Sequence, residues 1–222
     1  MNDITFITVS CNPEKLRSLL EHVRRSGLFK EVLAVADAYN PSAEKTYAVA
    51  KELADRAWCW PVIGVAESVL EPLSAQVKTE WTLRLDDDER MGSNLPALLT
   101  RALSLPFVRV FGFPRYNLWP DPTHYIASHP WFPDDQLRLY RRHGVSYSGA
   151  VNSVIPTSSP SLIDSGIFHY KALWWTFKQR VQQAKRYHEL GATRWNDYAL
   201  LPEKYKNYGS DLLVRECPEG VL

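Results

Sequence analysis

The sequence predicts an α/β protein with a mostly parallel central sheet flanked by helices and an antiparallel extension in its second half. Three observations predict it. Over the first 85 residues, short apolar β-branched runs alternate with segments of helical spacing, the order that parallel strands with right-handed crossovers require. After about residue 106, turn-rich stretches separate short alternating runs with no long helix between them, which suits antiparallel pairing. With 45% hydrophobic residues in 222, the chain can also bury one substantial core.

The elements follow in order. Ile4 to Val9, "ITFITV", is apolar on both faces, as a strand inside a sheet must be. Pro13 and Glu14 open a helix whose inner face is Leu16, Leu19, Leu20 and Val23, and Gly27 supplies its stop. Val32 to Ala36 forms a second strand that ends at Asp37 and the turn "YNPS". Ser42 caps the next helix, with Tyr47, Val49, Ala50, Leu53 and Ala54 facing inward. "WCWPVI" is a third strand, Ser68 to Lys78 a helix, and "WTLRL" a fourth strand. Asn94 to Ser104 is a helix; Val108 to Phe113, "QLRLYRR" and "VSYSGAVNSVI" are strands; Lys171 to Leu190 is the longest amphipathic helix.

Composition narrows the function classes. Lys and Arg number 26 against 25 Asp and Glu, a net charge of +1, so no global basic field points to nucleic acid. Cys11, Cys59 and Cys217 are too scattered for a disulfide framework or a zinc ribbon. The start "MNDITFITVS" reads as no signal peptide, and no run of about 18 apolar residues suggests a membrane span. The expectation is a cytoplasmic protein. Walker A, G-x-S-x-G, G-x-G-x-x-G and H-E-x-x-H motifs are all missing from the sequence.

The most informative stretch is "EWTLRLDDDERM", Glu80 to Met91, where four adjacent carboxylates follow a buried strand. On extended backbone, residues two apart point to the same side, so Asp86 and Asp88 aim at one point while Asp87 faces away. Glu89 braces the turn. Carboxylate oxygens joined by substrate phosphates and water are what Mg²⁺ or Mn²⁺ prefers. Asp37 and the acidic run both end predicted strands, and ligands of parallel sheets gather at the carboxyl ends of strands.

"TLRLDDDE", then "FPRYN", then "PDDQLRLYRR", then an Ile-x-His element before a basic helix occur here in that order. In this the chain resembles glycosyltransferase family 2 of the GT-A fold, most of all its short bacterial members, over roughly residues 4 to 190. The resemblance implies a single domain over 1–190, with a nucleotide-sugar-binding half (1–105), an acceptor half (106–170), a basic helix (171–190) and an irregular tail (191–222). It implies a hexosyltransferase-like enzyme that moves a sugar from a nucleotide-sugar donor to a hydroxyl acceptor, a saccharide or lipid-linked saccharide, with inversion and with Mg²⁺ or Mn²⁺.

Residue by residue, the resemblance assigns Asp86 to the donor and the metal, Asp88 and His169 to the metal, and Asp37 to the nucleoside. Asp37 also fits a turn-capping role before "YNPS". Asp135, with Asp134 as the alternative, takes the place of the base that accepts the acceptor's proton; either also suits a loop acid paired with Arg138 or Arg141. Arg115 and Asn117 steady the donor diphosphate or the acceptor, or else Arg115 pairs with a carboxylate at the core edge. Where some relatives carry Val-His-Glu, this chain has "AVNSV", which affects the acceptor side.

The helix over 171–190 has five Lys and Arg against one Glu, interleaved with aromatics. It either packs on the domain with its basic face in solvent, or lies on an anionic membrane at the inner face and presents the site to a lipid-linked acceptor. His124 and His129 read as loop residues. Two other readings stand beside the transferase: a nucleotidyltransferase on a similar scaffold, and a non-catalytic protein of GT-A type that binds sugar nucleotides.

Overall fold

The computed structural model describes residues 3–129, 131–148, 154–190, 212–218 and 220. Strand β1 (Ile4–Ser10) lies at the centre of the sheet, as its two apolar faces require. Helix α1 (Pro13–Ser26) starts at Asn12, whose side-chain oxygen accepts from the Lys15 amide, and stops at Gly27 in the left-handed conformation, φ 62°. Then come β2 (Glu31–Asp37), α2 (Ala43–Leu53), β3 (Arg56–Trp60), the short α3 (Leu70–Ser74), β4 (Trp81–Arg84), β5 (Glu89–Met91) and α4 (Leu95–Leu103). The second half holds β6 (Val110–Asn117), β7 (His124–Ile126), β8 (Asp135–Arg141), β9 (Val145–Tyr147), β10 (Val154–Pro156), β11 (Ser161–Leu162) and β12 (Ile167–His169). Helices α5 (Lys171–Trp174) and α6 (Phe177–Glu189) come next, and β13 (Val214–Glu216) lies near the end.

The main sheet runs β3-β2-β1-β4-β8-β6-β12-β5. β1 is parallel to β2 and β4, and β2 to β3, so the first half is wound as the sequence predicts. β8 enters antiparallel between β4 and β6, and β5 runs antiparallel to β12. The expected mixed α/β class with an antiparallel extension is therefore the observed one. One face packs Phe6, Leu83 and Leu139 against Leu16, Leu19 and Leu20 of α1 and Leu95 and Leu99 of α4. Ile7, Leu33 and Val35 pack on the other face against Leu70 and Leu73.

Four differences from the sequence-based expectations have local causes. The helix expected over Ser68 to Lys78 shrinks to a 3₁₀ turn, Ala66–Val69, and α3, because Pro72 has no amide to continue a helical ladder. Ser42 stands at the start of α2 without a side-chain cap; its amide instead donates to Asn40 Oδ1, which closes the turn before the helix. The long basic helix divides at Trp175 and Thr176, because Thr176 and Gln179 form a capping box that starts α6 afresh. In the tail, Val214–Glu216 pairs with β7, while residues 191–211 lie outside the described residues. Most of "AVNSV" also lies outside them. Among the described residues, no helix is long and apolar enough to cross a membrane.

Strand β6 carries two of the expected site residues. It extends through Pro114 to Asn117, further than expected, because Pro114 falls where the strand's outer neighbour changes from β11 to β12 and no ladder donor is needed. That extension brings Arg115 and Asn117 to the end of the sheet where β1, β2 and β4 also finish.

Candidate active site

The acidic run is a turn rather than a continued strand. β4 stops at Arg84, and the Glu89 amide donates to the Asp86 carbonyl at 3.0 Å. The two-residue alternation is lost there, so the expectation that Asp87 faces away fails: Asp86, Asp87 and Asp88 all line one cavity of about 250 Å³. Its walls come from the carboxyl ends of β1, β2, β4, β6 and β12, closed over by α5 and α6. Glu89 does brace the turn: it is fully buried, and its Oε2 accepts from the Asp86 amide at 3.0 Å.

Behind the cavity runs an alternating chain of charges. Glu67 pairs with Arg84 at 3.2 Å, and Arg84 with Asp86 at 2.8 Å. Arg138 reaches Asp86 at 2.7 Å and Glu89 at 2.6 Å; Arg115 reaches Glu89 at 3.5 Å and Asp134 at 2.7 Å. The pairing of β4 with β8 sets Leu83 opposite Leu139, and one step further brings the buried Arg84 and Arg138 side by side. Two neighbouring guanidinium groups repel, and Asp86, with one oxygen on each, holds them together. Burial pushes its carboxyl up, but Arg138 and Arg84 outweigh that and hold it well below the usual carboxylate range.

The network ends at a histidine. Asn117 Nδ2 donates to the Trp131 carbonyl at 3.0 Å and to Asp134 at 3.3 Å, which turns its Oδ1 toward His169 Nδ1 at 2.7 Å. An oxygen facing Nδ1 requires the proton there, so Nε2 keeps its lone pair. Burial, then Arg115 and Lys171, push the imidazole well below its ordinary pKa and keep it neutral. Nε2 faces Asp88 Oδ1 at 3.6 Å, and the Tyr170 amide anchors the Asp88 carbonyl at 2.8 Å. Two ligands each about 2.1 Å from one ion lie about 3–4 Å apart, so the pair has metal-ligand spacing. Among the described residues no group of three or more His, Cys, Asp or Glu side chains has such an arrangement.

Asp87 borders this pair. Ser10 Oγ donates to its Oδ2 at 2.5 Å, and burial together with the Asp88 charge raises its pKa to about 6. The acidic corner is thus short of positive charge. Asp37 lines the same cavity; its Oδ1 accepts from the Tyr39 amide at 3.0 Å and the Val62 amide at 3.3 Å, so it caps its turn as well.

The remaining expected residues are placed differently. Asp134 lies beside Arg115 and Asn117, but both its oxygens are taken, by Arg115 at 2.8 Å and by Gln136 at 2.7 Å. Asp135 is exposed at the start of β8 and is not part of the cavity wall. Arg138 pairs with Asp86 and Glu89, and Arg141 with Glu80, so neither is the partner expected for Asp135. Residues that the sequence pattern did not single out complete the wall: Ser10, Glu67, Arg84, Lys171 and Arg186. Arg84 and Arg138 had a visible signal, since an arginine inside a buried strand needs a carboxylate partner. A second cavity, of about 750 Å³, adjoins the first and shares Cys11, Asp87, Trp175, Gln183 and Arg186 with it.

No family model matches the chain, and no curated protein does. Among solved structures it is similar to S. aureus TarS 1–349, with 10% identity over 91% of this chain and 72% of that one and a TM-score of 0.49. The same TarS segment in complex with UDP-GlcNAc gives 12% identity over 90% and 70%, with a TM-score of 0.48. The fold itself is mixed α/β, with a mostly parallel first half of the sheet and antiparallel strands in the second. A 4-diphosphocytidyl-2C-methyl-D-erythritol synthase from Anaerococcus prevotii is also similar, with 14% identity over 63% of this chain and 71% of that one and a TM-score of 0.41.

Proposed function

We propose that the chain is a glycosyltransferase that moves a sugar from a nucleotide-sugar donor to a hydroxyl acceptor, with inversion. The observation that carries this reading is the buried pair of Asp88 and neutral His169, set on the wall of a cavity at the carboxyl ends of the parallel strands. A carboxylate oxygen and an imidazole lone pair suit Mn²⁺ or Mg²⁺ completed by phosphate oxygens and water. When bound there, such an ion supplies Lewis-acid neutralisation of a departing diphosphate. The protein's own part is to keep His169 in one tautomer through Asn117, to hold Asp88 by its backbone, and to fix Asp86 between two arginines at the cavity edge. Asp37 and Asp86 line the donor side. Asp135, exposed at the start of β8 beside β6, the strand that carries Arg115, or Asp134 next to it, would take the proton of the acceptor hydroxyl.

The acceptor is a saccharide or a lipid-linked saccharide. For the latter, the exposed Trp174 at the end of α5 and Phe177 at the start of α6 offer an edge for peripheral contact with the inner face of a membrane. The test is turnover: purified protein with Mn²⁺ and a panel of UDP, GDP, CMP and dTDP sugars releases the nucleotide from at least one of them. Release of pyrophosphate from a nucleoside triphosphate instead assigns the site to nucleotidyl transfer.

Asn117 gives this reading a finer check. Asn117→Ala removes the oxygen that fixes the His169 tautomer without touching Asp88 or His169 themselves. Mn²⁺ affinity, measured by calorimetry, is expected to fall by about 10- to 100-fold. Unchanged affinity removes His169 from the ligand set.

A further inference from the structure

Four cationic side chains line the first cavity: Arg84, Arg115, Lys171 and Arg186. Two are already spent, since Arg84 is paired with Glu67 and Asp86, and Arg115 with Glu89 and Asp134. Lys171 and Arg186 have no carboxylate at ion-pair distance among the described residues. Arg186 is held in place by a neutral group, its guanidinium donating to the Gly64 carbonyl at 2.6 Å, and it borders both cavities. Lys171 is held by aromatic faces, its ammonium 5.4 Å from the Trp175 ring and 5.8 Å from the Tyr187 ring. Ring faces position an ammonium without using its N–H donors, which stay available.

We propose that Lys171 and Arg186 form the binding site for the diphosphate of the donor, with α5 and α6 acting as the basic wall opposite the acidic turn. The inference rests on the nucleotide-sugar reading and deepens it. With Asp86 already held by Arg84 and Arg138, a diphosphate that enters the cavity still meets the carboxylates of Asp87 and Asp88, and a single divalent ion does not offset both them and the phosphates. Two unspent cations on the facing helices supply the remainder, Arg186 through its fork and Lys171 as a point charge. The excess of Lys and Arg in the 171–190 segment then has a use inside the fold: Lys171 and Arg186 face substrate rather than solvent or lipid.

The experiment is calorimetric titration of the full chain with UDP, GDP, CDP and dTDP and with the matching nucleosides, in Mn²⁺ and in EDTA. Lys171→Met and Arg186→Gln are each expected to weaken the best-bound diphosphate by about 10- to 100-fold, in both buffers, and to leave the nucleoside unaffected. Lys171→Arg, which keeps the charge, is expected to recover most of the loss. Diphosphate binding by Lys171→Met equal to wild type overturns the inference. So does an equal loss of nucleoside and diphosphate, because the lysine would then be shaping the wall. If the wild-type chain binds none of the four diphosphates, the nucleotide-sugar reading itself fails, a result distinct from failure of the variants.

Discussion

Arg138→Leu is expected to lower the folding stability by about 3–5 kcal/mol, the range for breaking a buried ion pair on one side. The side chain is 4% exposed, and its two partners differ in what they lose. Asp86 keeps Arg84 and a cavity edge open to water. Of its cationic partners Glu89 keeps only the distant Arg115, at 3.5 Å; the Asp86 amide still donates to it, but it has no exposed surface to turn to. The leucine restores most of the buried apolar volume, so the loss measures charge rather than packing. Urea denaturation of both proteins checks it. Adding Glu89→Gln to the variant is expected to recover part of the loss, since the second change removes the orphaned charge. A loss below about 1 kcal/mol, or no recovery, means the charged network does not hold the turn.

Asp88→Asn is expected to reduce turnover by about 100-fold or more, because an amide cannot replace a carboxylate beside the His169 lone pair. The variant changes no volume, and the backbone bond from Tyr170 to residue 88 is kept, so the fold is not at stake. Asp87→Asn is the comparison. It retains an acceptor for Ser10 Oγ and removes a charge that its surroundings already disfavour. Its loss is expected to stay below about 10-fold, since the Asp87 carboxylate holds neither the histidine nor an arginine, and the bond from Arg90 goes to the backbone carbonyl, which the change leaves in place. Steady-state rates with one donor decide it. Equal losses mean that the carboxylates act as a unit and that Asp88 has no distinct role.

The parallel half was readable because its signals are local. Apolar runs such as "ITFITV" bury both faces, Asn12 and Gly27 bracket α1, and strand ends converge where Asp37 and the acidic run lie. What was not readable depends on pairing across the chain. Nothing near Asp87 says that the strand ends at Arg84, and the alternation rule failed there by assuming that it continued. The partnership of Arg84 and Arg138 with Asp86 requires β8 to lie beside β4, 52 residues away in the case of Arg138. In the 171–190 segment the charge pattern hides the capping box, so the break at Thr176, which turns Lys171 and Arg186 toward the cavity, is not visible from charge alone. Asp135 is exposed at the start of β8, outside the lining of the cavity, a position that depends on the pairing of β8 with β6 and is not visible in the local sequence.

The most direct measurement of the central claim is the affinity of the wild-type chain and of His169→Ala for its nucleotide-sugar donor, in Mn²⁺ and in EDTA. Binding is expected to be at least about 10-fold tighter with Mn²⁺ in the wild type, and this difference is expected to vanish in His169→Ala. Equal affinity in the two buffers for the wild type, or a Mn²⁺ effect that survives the loss of the imidazole, contradicts a metal held by Asp88 and His169.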